Sequence, residues 1–440
     1  MKILFVSLGC DKNLADTEAM LGLLYKKGFT FTDEEQEADV IIINTCCFIH
    51  DAKEESINTI LQMAEYRTKG ICKALIVTGC LAQRYQREIL KEIPEVDALL
   101  GTADYEKITW AVQCVLEGKK PEETFSLEGK LSAVKERILT TGGYFAYLKI
   151  AEGCDKCCTY CIIPKIRGKY RSVEMEELVE QAQELVKKGV RELILVAQET
   201  TLYGVDLYGE KYLPRLLRRL CQIEGLVWIR ILYCYPEEIT QELVQVLKEE
   251  KKICHYLDIP IQHASDAVLK RMGRRTTKQE LKEKIKMLRE KIPDIVLRTT
   301  LISGFPGETQ QDHQELMEFI DEIEFERLGV FTYSQEEDTP AADMPNQIEE
   351  RVKERRRSEA MELQQDIAFD FSQGCIGREM LVLIEGKLAD ENAYIGRTYM
   401  DAPGVDGNIF ITTDEELLSG DFVRVRVTGA CEYDLIGELM

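Results

Sequence analysis

Apolar residues along the first 115 positions come in short β-branched runs, KILFVSLGC, DVIIINTC, KALIVTGC and DALLG. Between them lie LADTEAMLGLLYKKG, ESINTILQMAEYR, RYQREILKEIP and ITWAVQCVLEG, whose apolar positions recur at helical spacing. Buried runs alternating with amphipathic helices predict a parallel sheet flanked by helices, over residues 1–118. Residues 119–142 are polar and weakly periodic, which predicts a linker. A second series follows over residues 143–372, with strands expected at YFAYLKIAEGC, ELILVAQ, VWIRILY, YLDIPIQ, VLRTTLISGF and LGVFTY. Its amphipathic spacers, such as EELVEQAQELVKKG and KQELKEKIKMLREKI, complete six βα units and predict a partial (β/α)6 barrel. Such a fold carries its chemistry on loops at the carboxyl ends of the strands. After the helical connector QIEERVKERRRSEAMELQQDIAFDF, five short strands separated by Gly, Pro and Asp turns predict a small five-stranded antiparallel β-barrel over 373–440. The fold class is therefore α/β and multidomain.

A chain of 440 residues, 45% apolar and 30% charged, can bury several cores. The N-terminal MKILFVSLGC lacks a charged leader and cleavage region, and no run of about 18 apolar residues occurs, so a cytoplasmic protein with no membrane association is expected. In that setting fifteen cysteines read as metal ligands, redox groups or buried apolar residues rather than as a disulfide framework. The net charge of −22 repels phosphate backbones and favours a basic partner, or simply maintains solubility.

Three of the first four strands end in cysteine: Cys10 in SLGCDKN, Cys46 and Cys47 in NTCCF, and Cys80 in TGCLAQ. Loops at the carboxyl ends of an open α/β sheet share one crevice, so Cys10, Cys46 and Cys80 form a candidate metal site. Taken singly, each could equally be a small buried apolar residue. Cys47 alternates away from its neighbour in an extended segment, and Cys72 and Cys114 read as core or helix-end residues.

KIAEGCDKCCTYCIIPKIRGKYRS places Cys154, Cys157, Cys158 and Cys161 at the end of the first strand of the second series. Read as two CxxC pairs it would be a zinc site, but the pairs abut, and zinc ribbons separate theirs widely. Read as Cys154-x3-Cys158-x2-Cys161 it supplies three ligands to a four-iron cluster and leaves one iron free to chelate a small molecule.

CxxxCxxC with Tyr160 before its last cysteine resembles the radical S-adenosylmethionine superfamily. That resemblance implies a 4Fe-4S cluster on the catalytic Cys154, Cys158 and Cys161, with Cys157 at a variable position, and S-adenosylmethionine on the open iron. With the N-terminal cysteines and a β-rich tail, the whole chain looks like the methylthiotransferases. There Cys10, Cys46 and Cys80 would hold a second 4Fe-4S cluster. SLGCDKNLADTE, VAQETTLYGVDLYG, LDIPIQHASDAVLKRMGR, LRTTLISGFPGET and GVFTYSQEEDTP resemble the branch that modifies an aspartate of ribosomal small-subunit protein 12.

As a cofactor cradle, Gln198, Glu199 and Thr200 could bond the methionyl ammonium. Gly304, Phe305 and Gly307 would allow close approach beside an adenine, and Arg298 would meet a carboxylate or form a structural ion pair. His263 reads as structural. Lys165, Arg167, Lys169 and Arg171 would steer an acidic substrate loop or solvate the surface. The tail resembles a TRAM domain, a module that serves RNA binding in tRNA adenosine methylthiotransferases, which are the alternative reading. From Ile376 to Met440, 13 acidic side chains stand against 5 basic ones. RNA binding normally needs a basic footprint, so RNA contact is not expected to dominate and the ribosomal protein is the expected substrate. GRTYMDAPGVDG, with Asp401 and Asp406, also resembles the ribosomal-protein branch. An electron-donor protein of flavodoxin or ferredoxin type is the implied reductant.

Overall fold

A computed structural model describes residues 1–121, 125–389 and 392–440; residues 122–124 of the expected linker and 390–391 of the expected barrel lie outside them. The N-terminal sheet contains β1 (Lys2–Ser7), β2 (Thr30–Phe31), β3 (Val40–Thr45), β4 (Ala74–Gly79) and β5 (Ala98–Leu100), all parallel in the order β2-β1-β3-β4-β5. Every residue of β3 and β4 is buried because both faces are covered. Ile41, Ile43, Leu75 and Val77 pack into one core, and Val40, Ile42, Ala74 and Ile76 into the other.

The second series opens with β6 (Phe145–Lys149), followed by β7 (Ala151–Glu152), which pairs antiparallel with β8 (Arg171–Ser172). It continues through β9 (Glu192–Val196), β10 (Trp228–Ile231), β11 (Ile253–Asp258), β12 (Val296–Ser303) and β13 (Arg327–Thr332). β6 and β9 to β13 form one parallel sheet in the order β13-β12-β11-β10-β9-β6, open between β6 and β13, as a partial barrel requires. Leu193, Leu195, Ile229, Ile231, Leu257 and Leu297 face the surrounding helices.

The opposite face of that sheet is covered by the C-terminal barrel of β14 (Glu379–Lys387), β15 (Ala393–Arg397), β16 (Ile409–Thr412), β17 (Phe422–Cys431) and β18 (Asp434–Leu439). Ile194, Val196, Trp228, Tyr256 and Val296 share a core with Met380, Val382, Ile409 and Val425, and Trp228 meets Phe422 edge-on at 4.8 Å. The expectation of a purely antiparallel barrel is corrected at one seam: β16 and β18 run parallel, because the chain crosses to β17 before β18 returns beside β16.

Ion pairs lock the barrel onto the sheet. Glu192, fully buried, accepts from Arg230 at 2.9 Å and from Arg397 at 2.7 Å. Asp401 pairs with Arg327 at 2.6 Å, and Asp406 with Arg298 at 3.3 Å. Asp401 and Asp406 are thus internal to this chain rather than part of its acidic surface.

The N-terminal domain contacts both ends of the open sheet. On the β6 side its helix Asp11–Lys26 places Asp16 on Lys149, and Glu18 on Arg137 at 2.5 Å. Arg137 belongs to the stretch expected as a linker; it is nearly fully buried and donates to the Tyr147 carbonyl at 2.7 Å, so this part of the stretch acts as a packed strap. Beyond β13, Arg84 bonds Glu336 at 3.1 Å and the Glu337 carbonyl at 2.9 Å. The crevice at the carboxyl ends of β1, β3 and β4 therefore stands over the mouth of the second sheet.

Candidate active site

Cys10 caps the helix Asp11–Lys26, Cys46 follows β3, and Cys80 opens the helix Cys80–Tyr85. The loops touch: Gly9 sits at φ +89°, and a Cβ there would lie 2.6 Å from Cys46 Cβ and 2.9 Å from its Sγ. Asn13 joins all three, donating to the Leu8 and Thr45 carbonyls at 2.9 Å each and accepting from the Cys80 thiol at 3.8 Å. Burial pushes the Cys46 and Cys80 thiols up, while nearby Arg167 opposes it. Cys47 turns into the core, its thiol pushed up to about 12 by burial, and Cys72 donates to the Ala74 carbonyl.

The second thiol loop is folded by backbone contacts to its own domain. Gly153 has φ +82°, and a Cβ there would stand 2.1 Å from the Lys169 carbonyl. Only glycine lets the chain turn between β7 and Cys154. Cys154 N donates to the Gly168 carbonyl, Thr159 N to that of Met272, and Cys161 N to that of Cys158. Cys154 and Cys158 are buried and Cys161 half-buried, whereas Cys157 is exposed at φ +54°. Burial, then the neighbouring Cys158, pushes the Cys154 thiol up to about 12, and burial raises Cys161 as well. The Tyr235 hydroxyl lies 3.5 Å from Cys158 Sγ.

Among the described residues, no three His, Cys, Asp or Glu side chains are arranged to hold a single metal ion. A cubane makes a different demand, since each thiolate binds a separate iron and the three need not converge on one point. Two sets of three thiols, each drawn together at strand ends, fit that demand.

The expected cradle is partly used by the protein itself. Gln198 accepts from Gly153 N at 2.8 Å and donates to Glu152 at 2.6 Å, so it holds the thiol loop. Thr200 donates to the Leu232 carbonyl. Glu199 is fully buried, and its Oε2 has no partner; burial, against bonds from Thr201, raises it to about 7. An unpartnered carboxylate oxygen at a strand end fits an ammonium ligand. Tyr160 meets Phe305 edge-on at 6.5 Å, but Phe305 is fully buried against Tyr333. A Cβ at Gly304 would lie 2.3 Å from Lys353 Cγ and one at Gly307 3.5 Å from Arg271 Nε, so the backbone at Gly304 packs closely against Lys353. Arg298 bonds Asp258 at 2.9 Å as well as Asp406, so its carboxylate partners are internal. His263 is buried, with Nδ1 accepting from Ser265 N and Nε2 3.7 Å from Glu308, and burial lowers it to about 3.

Arg167 overturns its reading as a steering or solvated cation. It is 2% exposed while Lys165 and Lys169 remain outside. Its Nη1 donates to Asp16 and Glu152 at 3.0 Å each, and its Nη2 to Asn13 and, at 3.4 Å, to Cys80 Sγ. One guanidinium thus touches the residue that ties the N-terminal thiol loops, one of those thiols, and a carboxylate two positions before Cys154. Sequence reasoning also missed a buried cluster between the two domains, where Lys12 Nζ lies 3.3 Å from the Tyr233 ring centroid and 3.0 Å from Asp11. Tyr233 donates to Asp11 at 3.3 Å, joining the end of β10 to the start of the N-terminal helix.

Three family models match the chain: "Uncharacterized protein family UPF0004" over residues 2–101, "Radical SAM superfamily" over 148–320 and "TRAM domain" over 376–440. The chain is 65% identical to the ribosomal protein uS12 methylthiotransferase RimO of Lachnoclostridium phytofermentans, over 99% of each chain. It is 52% identical to the protein of the same name from Pelotomaculum thermopropionicum, over 100% of this chain and 99% of that one. Among solved structures it resembles the radical S-adenosylmethionine methyltransferase TsrM from Kitasatospora setae, with TM-score 0.56 and 13% identity, covering 88% of this chain and 81% of that one. The cobalamin-dependent S-adenosylmethionine radical enzyme OxsB gives TM-score 0.51 at 13% identity, covering 83% and 56%. At these identities both likenesses concern the fold.

Proposed function

The chain belongs to the ribosomal protein uS12 methylthiotransferase family, RimO, and from that premise we propose that it builds a methylthio group on the β-carbon of a uS12 aspartyl residue with two 4Fe-4S clusters. It is a radical S-adenosylmethionine methylthiotransferase acting on uS12, with S-adenosylmethionine and 4Fe-4S as cofactors. Cys154, Cys158 and Cys161 would hold the radical cluster, and Cys10, Cys46 and Cys80 the second. When bound, these groups supply a 5′-deoxyadenosyl radical able to take hydrogen from a carbon that no ordinary side-chain base could deprotonate, and the sulfur that replaces it.

The chain's own residues do the positioning. Gln198 fixes the thiol loop through Gly153, and Glu199 offers its free oxygen to the methionyl ammonium. The N-terminal domain, held by Asp16 and Glu18 on one side and Arg84 on the other, brings its thiol loops over the mouth of the sheet. The observation that carries this reading is the single buried guanidinium of Arg167, which bonds Cys80 of one thiol set and Glu152, two residues before Cys154 of the other.

For the substrate, the barrel's exposed Glu379, Asp414, Glu415, Glu416, Glu432 and Glu438 suit a basic ribosomal protein and oppose RNA. A flavodoxin- or ferredoxin-type protein would deliver the electron. The test offers reduced, anaerobic enzyme both uS12 and unmodified tRNA with S-adenosylmethionine and sulfide. A methylthio mass gain on an aspartate of uS12 supports the proposal; a gain on tRNA alone overturns it.

A further inference from the structure

Arg167 stands between two sites that the reaction must keep apart yet coupled. Its guanidinium takes partners from both sides, Asp16 and Asn13 from the N-terminal domain and Glu152 from the strand before the thiol loop, while Arg171 of β8 donates to its backbone carbonyl. Lys149 completes the set by bonding both Asp16 and Glu152. Two cations and two carboxylates cancel, and all are buried. What remains directed at Cys80 is therefore one N–H of Nη2 rather than a net charge.

The fork matters. Nη1 is committed to the two carboxylates and Nη2 to Asn13 and Cys80, an arrangement that needs a planar, multi-donor cation and that a lysine ammonium cannot reproduce at the same reach. A hydrogen bond to a ligating sulfur withdraws electron density from it and stabilises the reduced cluster.

We propose that Arg167 is a positioning residue shared by the two thiol loops, and that its hydrogen bond to the Cys80 sulfur sets the reduction potential and retention of the N-terminal cluster. This rests on the reading that Cys10, Cys46 and Cys80 hold that cluster.

The test uses the full chain carrying Cys154→Ala, Cys158→Ala and Cys161→Ala, so that only the N-terminal cluster can form. It is reconstituted anaerobically with iron and sulfide, titrated potentiometrically by electron paramagnetic resonance, and challenged with a chelator. Arg167→Lys, which keeps the buried charge, is expected to retain the cluster at a lower midpoint potential. Arg167→Met is expected to lower it further and to speed iron loss about tenfold, on the scale of lost outer-shell contacts. An unmoved potential and an unmoved chelation rate in Arg167→Lys overturn the inference, whether or not Arg167→Met folds. Absence of iron from the parent triple variant overturns the N-terminal cluster itself, and this inference with it.

Discussion

Gly9 lies so close to Cys46 that a methyl group on its α-carbon would stand 2.6 Å from Cys46 Cβ, with the backbone already at φ +89°. The contact sets two of the three N-terminal thiol loops against each other. Gly9→Ala must therefore either push Cys46 away or abandon the turn before Cys10. Iron and sulfide analysis of the reconstituted variant should show about half the wild-type cluster content if one of two clusters is lost. Deoxyadenosine formation from S-adenosylmethionine, which draws on the other thiol set, should remain measurable.

Arg84 and Glu336 pair at 3.1 Å with both side chains almost wholly buried, on the side of the N-terminal domain away from the β6 strap. Removing Arg84 leaves the Glu336 carboxylate with only the Ser334 hydroxyl among the described residues, at a cost of about 3 kcal/mol, while removing Glu336 costs less because Arg84 keeps Glu337 and the Cys47 carbonyl. Arg84→Ala and Glu336→Ala should each lower the denaturation midpoint, and the double variant should recover part of the loss. A double-mutant cycle in urea is expected to return a coupling of roughly 1–3 kcal/mol.

Glu192 shares its two oxygens between Arg230 and Arg397, with all three side chains buried where the barrel meets the sheet. Arg397→Ala should destabilise by about 3 kcal/mol, because the Glu192 and Glu385 carboxylates both lose a partner. Glu192→Met with Arg397→Met should cost more than Arg397→Ala alone, since Arg230 would then lie buried without its carboxylate, whereas the single variant leaves Glu192 paired with Arg230. Equilibrium unfolding by tryptophan fluorescence reports this directly, because Trp228 lies in the same interface.

Elements with strong local signals were legible. The apolar runs that open β3 and β4, VIII and ALIV, announced a sheet covered on both faces, and the short spacing of Cys154, Cys158 and Cys161 was enough by itself to announce a thiol loop. β2 has only two residues and no periodicity to detect. The parallel seam between β16 and β18 could not be read because alternation specifies a strand's faces and not its partner's direction. Arg167 was misread for a related reason. A cation's burial depends on carboxylates supplied from elsewhere, here Asp16, and nothing in IPKIRGKYRS reveals them. Asp401 and Asp406 likewise counted toward an acidic surface while their charges were spent on Arg327 and Arg298.

Glu199 carries a pH dependence. Burial raises its carboxyl to about 7, above an ordinary glutamate, so the protonated form dominates below that value and the carboxylate above it. If Glu199 receives the methionyl ammonium, S-adenosylmethionine should bind more tightly as pH rises through about 7, with release of a proton on binding near neutrality. In the free protein the sign is opposite. The raised value favours the fold below the usual glutamate range, and that contribution is lost as pH rises through about 7. Calorimetric titration in buffers of different ionisation enthalpy should show the released proton in the wild type and none in Glu199→Gln.

The acidic barrel makes its own prediction, because only charges without internal partners can act at a distance. Glu415 and Glu416 are exposed between β16 and β17, away from the ion pairs that seat the barrel. Screened attraction between such a face and a basic substrate raises the association rate at low salt and fades within a Debye length as salt rises. Glu415→Lys with Glu416→Lys should lower kcat/KM for uS12 by about five-fold at low ionic strength, a size typical of rim charges that steer encounter. The difference should vanish near ~0.5 M salt, where the Debye length is only a few ångströms, and cleavage of S-adenosylmethionine without uS12 should stay at the wild-type rate. A reversal in which the lysine variant gains methylthio transfer to tRNA would mean that the barrel's charge, rather than the N-terminal crevice, decides which substrate reaches the two thiol loops.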